Sequence, residues 1–149
     1  MSTIKASPLD IDTLARTLYG EARGEGQIGM IAVAHVVLNR VKRPGWWTRE
    51  RGDGIPDDTI AAGCRDPWQF SCWNANDPNR DKLLAVDLND PVFHRCYFVA
   101  LGVVIAAQGF DDPTQGATHY HAASTSPPWA RGRVPVVSIG RHKFYTGIP

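Results

Sequence analysis

The stretch Met30-Ile31-Ala32-Val33-Ala34-His35-Val36-Val37-Leu38 constrains this chain more than any other. Apart from His35 it is apolar on nearly every face of a helix. A helix of that kind has to be covered by neighbours on several sides, so the rest of the chain must be built around it. Even the longest apolar run, Cys96–Ala107, falls well short of the roughly 20 residues that cross a bilayer. No membrane insertion is expected, and the buried helix belongs to the interior of a globular domain. The spacing predicts that it runs from Gln27 to Arg43. Arg40, Lys42 and Arg43 suit its C-terminal dipole, and Pro44-Gly45 stops it.

Glycines 24 and 26 bracket Glu25 and separate this helix from an earlier one, Asp10 to Ala22. There Ile11, Leu14, Ala15, Leu18 and Ala22 keep helical spacing, and Asp10 or Asp12 can cap the start. A third helix opens at Asp90-Pro91 and extends to about Gln108, ahead of Gly109. Between them, Pro44 to Asp58 reads as a long loop, and Pro67 to Asn89 as short turns of helix and loop. Past Phe110, two short strands are expected, Ala117–Ala122 and Val134–Ile139. No internal repeat or linker interrupts the 149 residues, so residues 1–149 are expected to form one domain. The fold class is α+β, mainly α-helical, with a small antiparallel β element in the C-terminal third.

Sixteen basic against 15 acidic residues leave a net charge of +1, which excludes nucleic-acid binding by bulk basicity. Cys64, Cys72 and Cys96 cannot all pair within one chain, and they are too scattered for a structural zinc site. They read as reduced, buried thiols. Four tryptophans, Trp46, Trp47, Trp68 and Trp73, cluster in sequence, as core filling or as platforms for sugar rings.

Glu21 stands out chemically. It follows Leu14 by seven residues and Leu18 by three, so it borders the buried stripe of the first helix. It also sits in the last turn, beside unpaired carbonyls. Burial and the helix dipole both disfavour its carboxylate form, which suits a general acid for glycosidic cleavage. The bland alternative is an ion pair with Arg16 or Arg23. Glu25 would share its face only if the helix continued; otherwise it is a carboxylate near the next helix N-terminus. Gln69-Phe70-Ser71-Cys72-Trp73-Asn74 mixes amides, hydroxyls and aromatics, which suits either a site wall or a packed loop. His119 and His121 share a strand face, and His142 could join them as a third ligand of a metal hydrolase with Glu21 as base. Histidines bonded to substrate or backbone are the alternative. His35 reads as a satisfied core histidine.

Leu14-Ala15-Arg16 with Tyr19-Gly20-Glu21-Ala22-Arg23-Gly24-Glu25, Ile31–Ala34 and Leu38-Asn39-Arg40-Val41 resembles the N-terminal block of the spore-cortex-lytic (SleB-type) cell-wall hydrolase family. The likeness continues through Gln69–Trp73, Ala117–His121, Pro128-Trp129, Ile139, Gly140, His142, Phe144 and Tyr145, in the family's order. The resemblance implies a lysozyme-like catalytic domain acting on peptidoglycan glycan strands without a cofactor, with Glu21 as the catalytic acid. Gln69, Ser71, Tyr120, His121 and Tyr145 are candidates for positioning substrate, with Trp73 and Trp129 as stacking surfaces. Two other classes are a metal-dependent wall hydrolase using His119, His121 and His142, and a non-catalytic glycan-binding module. The segment Met1–Asp12 shows no apolar signal region. The expected setting is therefore a monomeric bacteriophage endolysin, made in the cytoplasm and acting on the wall after release.

Overall fold

The computed structural model describes residues 6–42, 59–65, 70–105 and 111–149. The Trp46-Trp47 pair, Trp68, the 44–58 loop, Gln69 and the expected helix end near Gln108 lie outside them. Among the described residues there are five α-helices: α1 (Pro8–Ala22), α2 (Gly26–Val41), α3 (Ile60–Arg65), α4 (Pro78–Ala85) and α5 (Pro91–Ile105). The strands are β1 (His119–Ala122), β2 (Val137–Ile139) and β3 (His142–Tyr145), in one antiparallel sheet ordered β1-β3-β2.

Helix α1 starts earlier than either aspartate predicts. Ser7 is the cap: its hydroxyl accepts from the Asp10 amide at 3.2 Å, and the Asp10 carboxylate accepts from the Ser7 amide at 2.9 Å. This reciprocal pair satisfies two helix-end donors, with Pro8 in the first turn where no amide is needed. The second Asp10 oxygen accepts from the Ala61 amide at 2.9 Å and ties α3 to the start of α1. Asp90 caps α5 as expected, accepting from the amides of Val92 and Phe93 at 2.8 and 3.0 Å.

Helix α2 is the centre of the molecule, as its all-round apolarity requires. From Gly29 to Arg40 only His35 and Asn39, one turn apart, are not buried. One side of α2 joins α1 and α5 in the main core, through Met30, Val33, Ala34 and Val37 against Leu14, Leu18, Phe93, Cys96 and Val99. The other side, Ala32 and Val36, packs on Ala117 and Phe144 beneath the sheet. Cys64, Cys72 and Cys96 are all free and buried.

The central strand, β3, was not expected. It is formed by a two-residue hairpin, Gly140-Arg141, that closes on the Ile139–His142 pair. Gly140 takes φ +58°, a left-handed backbone that glycine adopts without cost and that suits the first position of such a loop.

Candidate active site

Glu21 lies at the end of α1, where the helix meets the sheet. Its Oε1 accepts a 2.8 Å hydrogen bond from the hydroxyl of Tyr120, on β1. Neither arginine of the ion-pair alternative reaches it. Arg16 pairs with Asp12 at 2.8 Å and donates to the carbonyls of Leu83 and Val86. Arg23 donates to the Tyr19 carbonyl and to Asn79, both at 2.8 Å.

Burial is the main influence on Glu21 and pushes its pKa above the ordinary glutamate value. The hydrogen bond from Tyr120, the neighbouring Cys72 thiol and the positive charge of Arg40 oppose the rise; the charge of Asp77 adds to it. The outcome is a carboxyl biased toward its protonated form yet equipped with a hydroxyl donor for its anion. Burial, with the nearby Glu21 charge, holds the Tyr120 phenol well above its ordinary value, so Tyr120 remains a donor.

Packing sets each partner. The Tyr120 ring stacks on Phe144 at 5.6 Å and meets the His142 ring edge-on at 5.0 Å. Phe70 lies on its flank at 6.5 Å and carries the Arg40 guanidinium 4.7 Å over its own ring. Arg40 also donates to the Thr118 carbonyl at 2.6 Å, fixing the approach to β1. Cys72 reaches Glu21 because the 3-10 turn Ser71–Trp73 lies directly on Gly20. A Cβ at position 20 would stand 2.6 Å from the Cys72 Cβ.

Beside Glu21 opens a cavity of ≈ 370 Å³, lined also by Gly24, Glu25, Ser124, Arg141 and His142. Its second carboxylate, Glu25, is only 6 % exposed at the side chain. Although Glu25 occupies the cap position of α2, its side chain makes no cap bond. Instead Oε1 accepts from the Arg141 amide at 2.8 Å and Oε2 from the Arg141 Nε at 3.0 Å, with His142 Nδ1 3.5 Å from Oε1. Burial acts to raise its pKa, but these partners outweigh burial and hold the group below its ordinary value. Helix α1 ends at Ala22, so Glu21 and Glu25 share the cavity without sharing a helix face.

The strand register separates the histidines. Tyr120 pairs with Phe144 and Ala122 with His142, whereas His119 pairs with Tyr145 and His121 with Lys143. Directly opposed residues share a face and successive residues alternate. Tyr120, Phe144 and His142 thus look toward the helices, while His119, His121 and Tyr145 look away. His119 and His121 do share a face, as expected, but His142 cannot join them. The alternative reading of a three-histidine metal set is corrected on that ground. Among the described residues no group of three or more His, Cys, Asp or Glu is placed to hold a metal.

The outward face carries its own aromatic cluster. Trp129 meets His119, Tyr145 and His121 edge-on at 5.0, 5.1 and 5.6 Å. His121 Nδ1 donates to the Ala122 carbonyl at 2.7 Å, so its Nε2 accepts from the Tyr145 hydroxyl at 2.9 Å. Burial, then the charges of Arg40 and Arg133, lower the pKa of His119 to about 4. Of the candidate substrate residues among the described residues, Tyr120 alone hydrogen-bonds Glu21. His121, Trp129 and Tyr145 group together across the sheet. Trp73 packs on the main core, donates its indole N–H to Thr17 at 2.9 Å and lies under Arg65. Ser71 is exposed on its turn, and Gln69 falls outside the described residues. Sequence reasoning did not single out Cys72, Arg40 or Arg141. Only the Gly20–Cys72 close approach and the Gly140-Arg141 hairpin bring two of them in, and neither leaves a local pattern.

A mainly helical domain whose last helical turn presents a buried carboxyl to a small three-stranded sheet defines the class. The family model described as Cell Wall Hydrolase matches residues 24–145, and the chain belongs to that family. It is 29 % identical over 136 residues to the spore cortex-lytic enzyme of Halalkalibacterium halodurans, covering 91 % of this chain and 34 % of that protein. It is 27 % identical to the spore cortex-lytic enzyme of Bacillus subtilis over 135 residues, 91 % of this chain and 37 % of that one. The chain thus spans about a third of the length of these relatives. Among solved structures it is similar to the catalytic domain of the germination-specific lytic transglycosylase SleB from Bacillus anthracis. That likeness has a TM-score of 0.63 at 25 % identity, and covers 95 % of this chain and 97 % of the other. The fold is that of the SleB catalytic domain.

Proposed function

We propose that the chain cleaves the glycan strands of peptidoglycan between N-acetylmuramic acid and N-acetylglucosamine, with Glu21 as general acid and then base. One observation carries this reading: a buried carboxyl, raised in pKa, held by the Tyr120 hydroxyl at the edge of an open cavity. Protonated Glu21 delivers its proton to the bridging oxygen as the bond to the muramic C1 breaks. Tyr120 then donates to the carboxylate that remains. The oxocarbenium-like centre draws on the substrate's own acetamido group, because both oxygens of Glu25 are already engaged by Arg141. Glu21 next takes the proton of the muramic C6 hydroxyl, whose oxygen closes on C1 and leaves an anhydro sugar. No water is consumed. The similarity to a lytic transglycosylase supports this route over hydrolysis.

Glu21→Gln tests the assignment. Lysis of purified sacculi is expected to disappear while the fold and sacculus binding remain. Substantial retained lysis would remove Glu21 from the reaction, and binding without soluble products from the unmutated chain would make it a glycan-binding module. The endolysin setting is the finer part of the proposal. Expressed inside a Gram-negative host, the chain is expected to lyse cells only when a separate membrane pore is opened; lysis without one contradicts that setting.

A further inference from the structure

The Gly140-Arg141 hairpin is shaped around Glu25. A Cβ on Gly140 would stand 2.9 Å from Glu25 Oε1, and one on Gly29 would stand 2.5 Å from the Glu25 Cβ. Two glycines thus make room for a carboxylate that accepts from both the amide and the Nε of Arg141. Glu25 itself is almost wholly enclosed, whereas the Arg141 side chain is 77 % exposed. A buried anion is therefore used to orient an exposed cation at the cavity that also holds Glu21. Among the described residues the terminal Nη atoms make no hydrogen bond; one of them lies beside Gly24, where a Cβ would stand 3.0 Å from it. A guanidinium fixed by one edge is a preorganised fork for a carboxylate on the other, with little side-chain entropy left to lose.

We propose that Arg141 is a specificity-determining residue that binds a carboxylate carried by the muramic acid side chain of the substrate, with Glu25 as its positioning residue. This rests on the reading of the cavity as the glycan-cleaving site. Two sources present that group: the lactyl carboxylate of a peptide-free muramic acid, and the first free carboxylates of an intact peptide stem. N-acetylglucosamine carries none, so the contact also sets which sugar lies next to Glu21.

The test measures binding of three ligands to the Glu21→Gln variant, with and without Arg141→Gln. The ligands are peptide-free glycan strands, the same strands with lactyl carboxylates converted to methylamides, and stem-bearing strands. Arg141 is expected to favour a carboxylate-bearing strand over the methylamide about tenfold, the loss of one charge-assisted hydrogen bond. Arg141→Gln is expected to abolish that ratio and Arg141→Lys to restore only part of it. A ratio seen on peptide-free strands assigns the lactyl group; one confined to stem-bearing strands assigns the stem. Equal weakening of all three ligands by Arg141→Gln, or an unchanged ratio, overturns the proposal. Because binding is read without turnover, failure here is separate from failure of the Glu21 assignment, which shows as retained lysis. Thermal denaturation of each variant establishes that the fold is kept.

Discussion

At the residue scale, one cavity holds two carboxylates that the protein treats in opposite ways. Burial pushes the Glu21 pKa above the ordinary glutamate value, whereas the Arg141 amide and guanidinium and the His142 charge hold that of Glu25 below it. Divergent environments for neighbouring carboxyls are how one site keeps an acid beside an anion at one pH. Tyr120→Phe removes a donor that stabilises the Glu21 anion. The Glu21 pKa then rises further, the acid form survives to higher pH, and the alkaline limb of the kcat/KM profile moves upward. A downward shift in the measured profile contradicts the hydrogen-bond assignment. For Glu25 the folded pKa lies below the ordinary 4.5, so its contribution to stability is present above that value and is lost as pH falls through the folded pKa. Glu25→Gln is expected to cost up to about 1 kcal/mol near neutral pH, because the Arg141 partner is largely exposed and screened. Denaturant melts across pH should show the gap from the unmutated protein closing on acidification.

At the scale of elements, contacts between distant segments finish what local sequence begins. Gly20 is the meeting point of α1 and the Ser71–Trp73 turn. Gly20→Ala forces a Cβ to 2.6 Å from the Cys72 Cβ, and overpacking of this kind costs about 1–3 kcal/mol. It should also lower activity, by displacing the Ser71–Trp73 turn and the α1 end that carries Glu21, and a melt with a sacculus assay reads both. Most helical elements were legible in the sequence because each signal is local: the stripe from Ile11 to Ala22, the all-round apolarity of Met30–Leu38, the Asp90-Pro91 start. Helix α3 was not, since Ile60–Arg65 is too short to show a period and owes its anchoring to Asp10. Strand β3 was missed for a related reason. His142–Tyr145 alternates weakly, and its place in the middle of the sheet comes from pairing with both β1 and β2. Glu21 was visible because helix geometry alone marks its edge position. Tyr120 was named only through the family resemblance, and its bond to Glu21 was not legible, because the two meet only through the tertiary fold.

At the scale of the whole molecule, the sheet has two uses. One face brings Tyr120 and His142 to the Glu21 cavity; the other carries Trp129 beside His121 and Tyr145, which bond each other and, through His121, the Ala122 carbonyl. The register keeps His142 from the other two histidines, so activity on sacculi is expected to be unchanged by dialysis against chelator and by added zinc. Loss in chelator with recovery in zinc contradicts that arrangement. Among the described residues no helix is long and apolar enough to cross a membrane. The central claim is that Glu21 cleaves the glycan strand without water. Mass spectrometry of the fragments released from purified sacculi tests it most directly. The account predicts muropeptides ending in anhydro-muramic acid from the unmutated chain and none from Glu21→Gln. Fragments ending in ordinary reducing sugars, or anhydro ends still released by the variant, would contradict it.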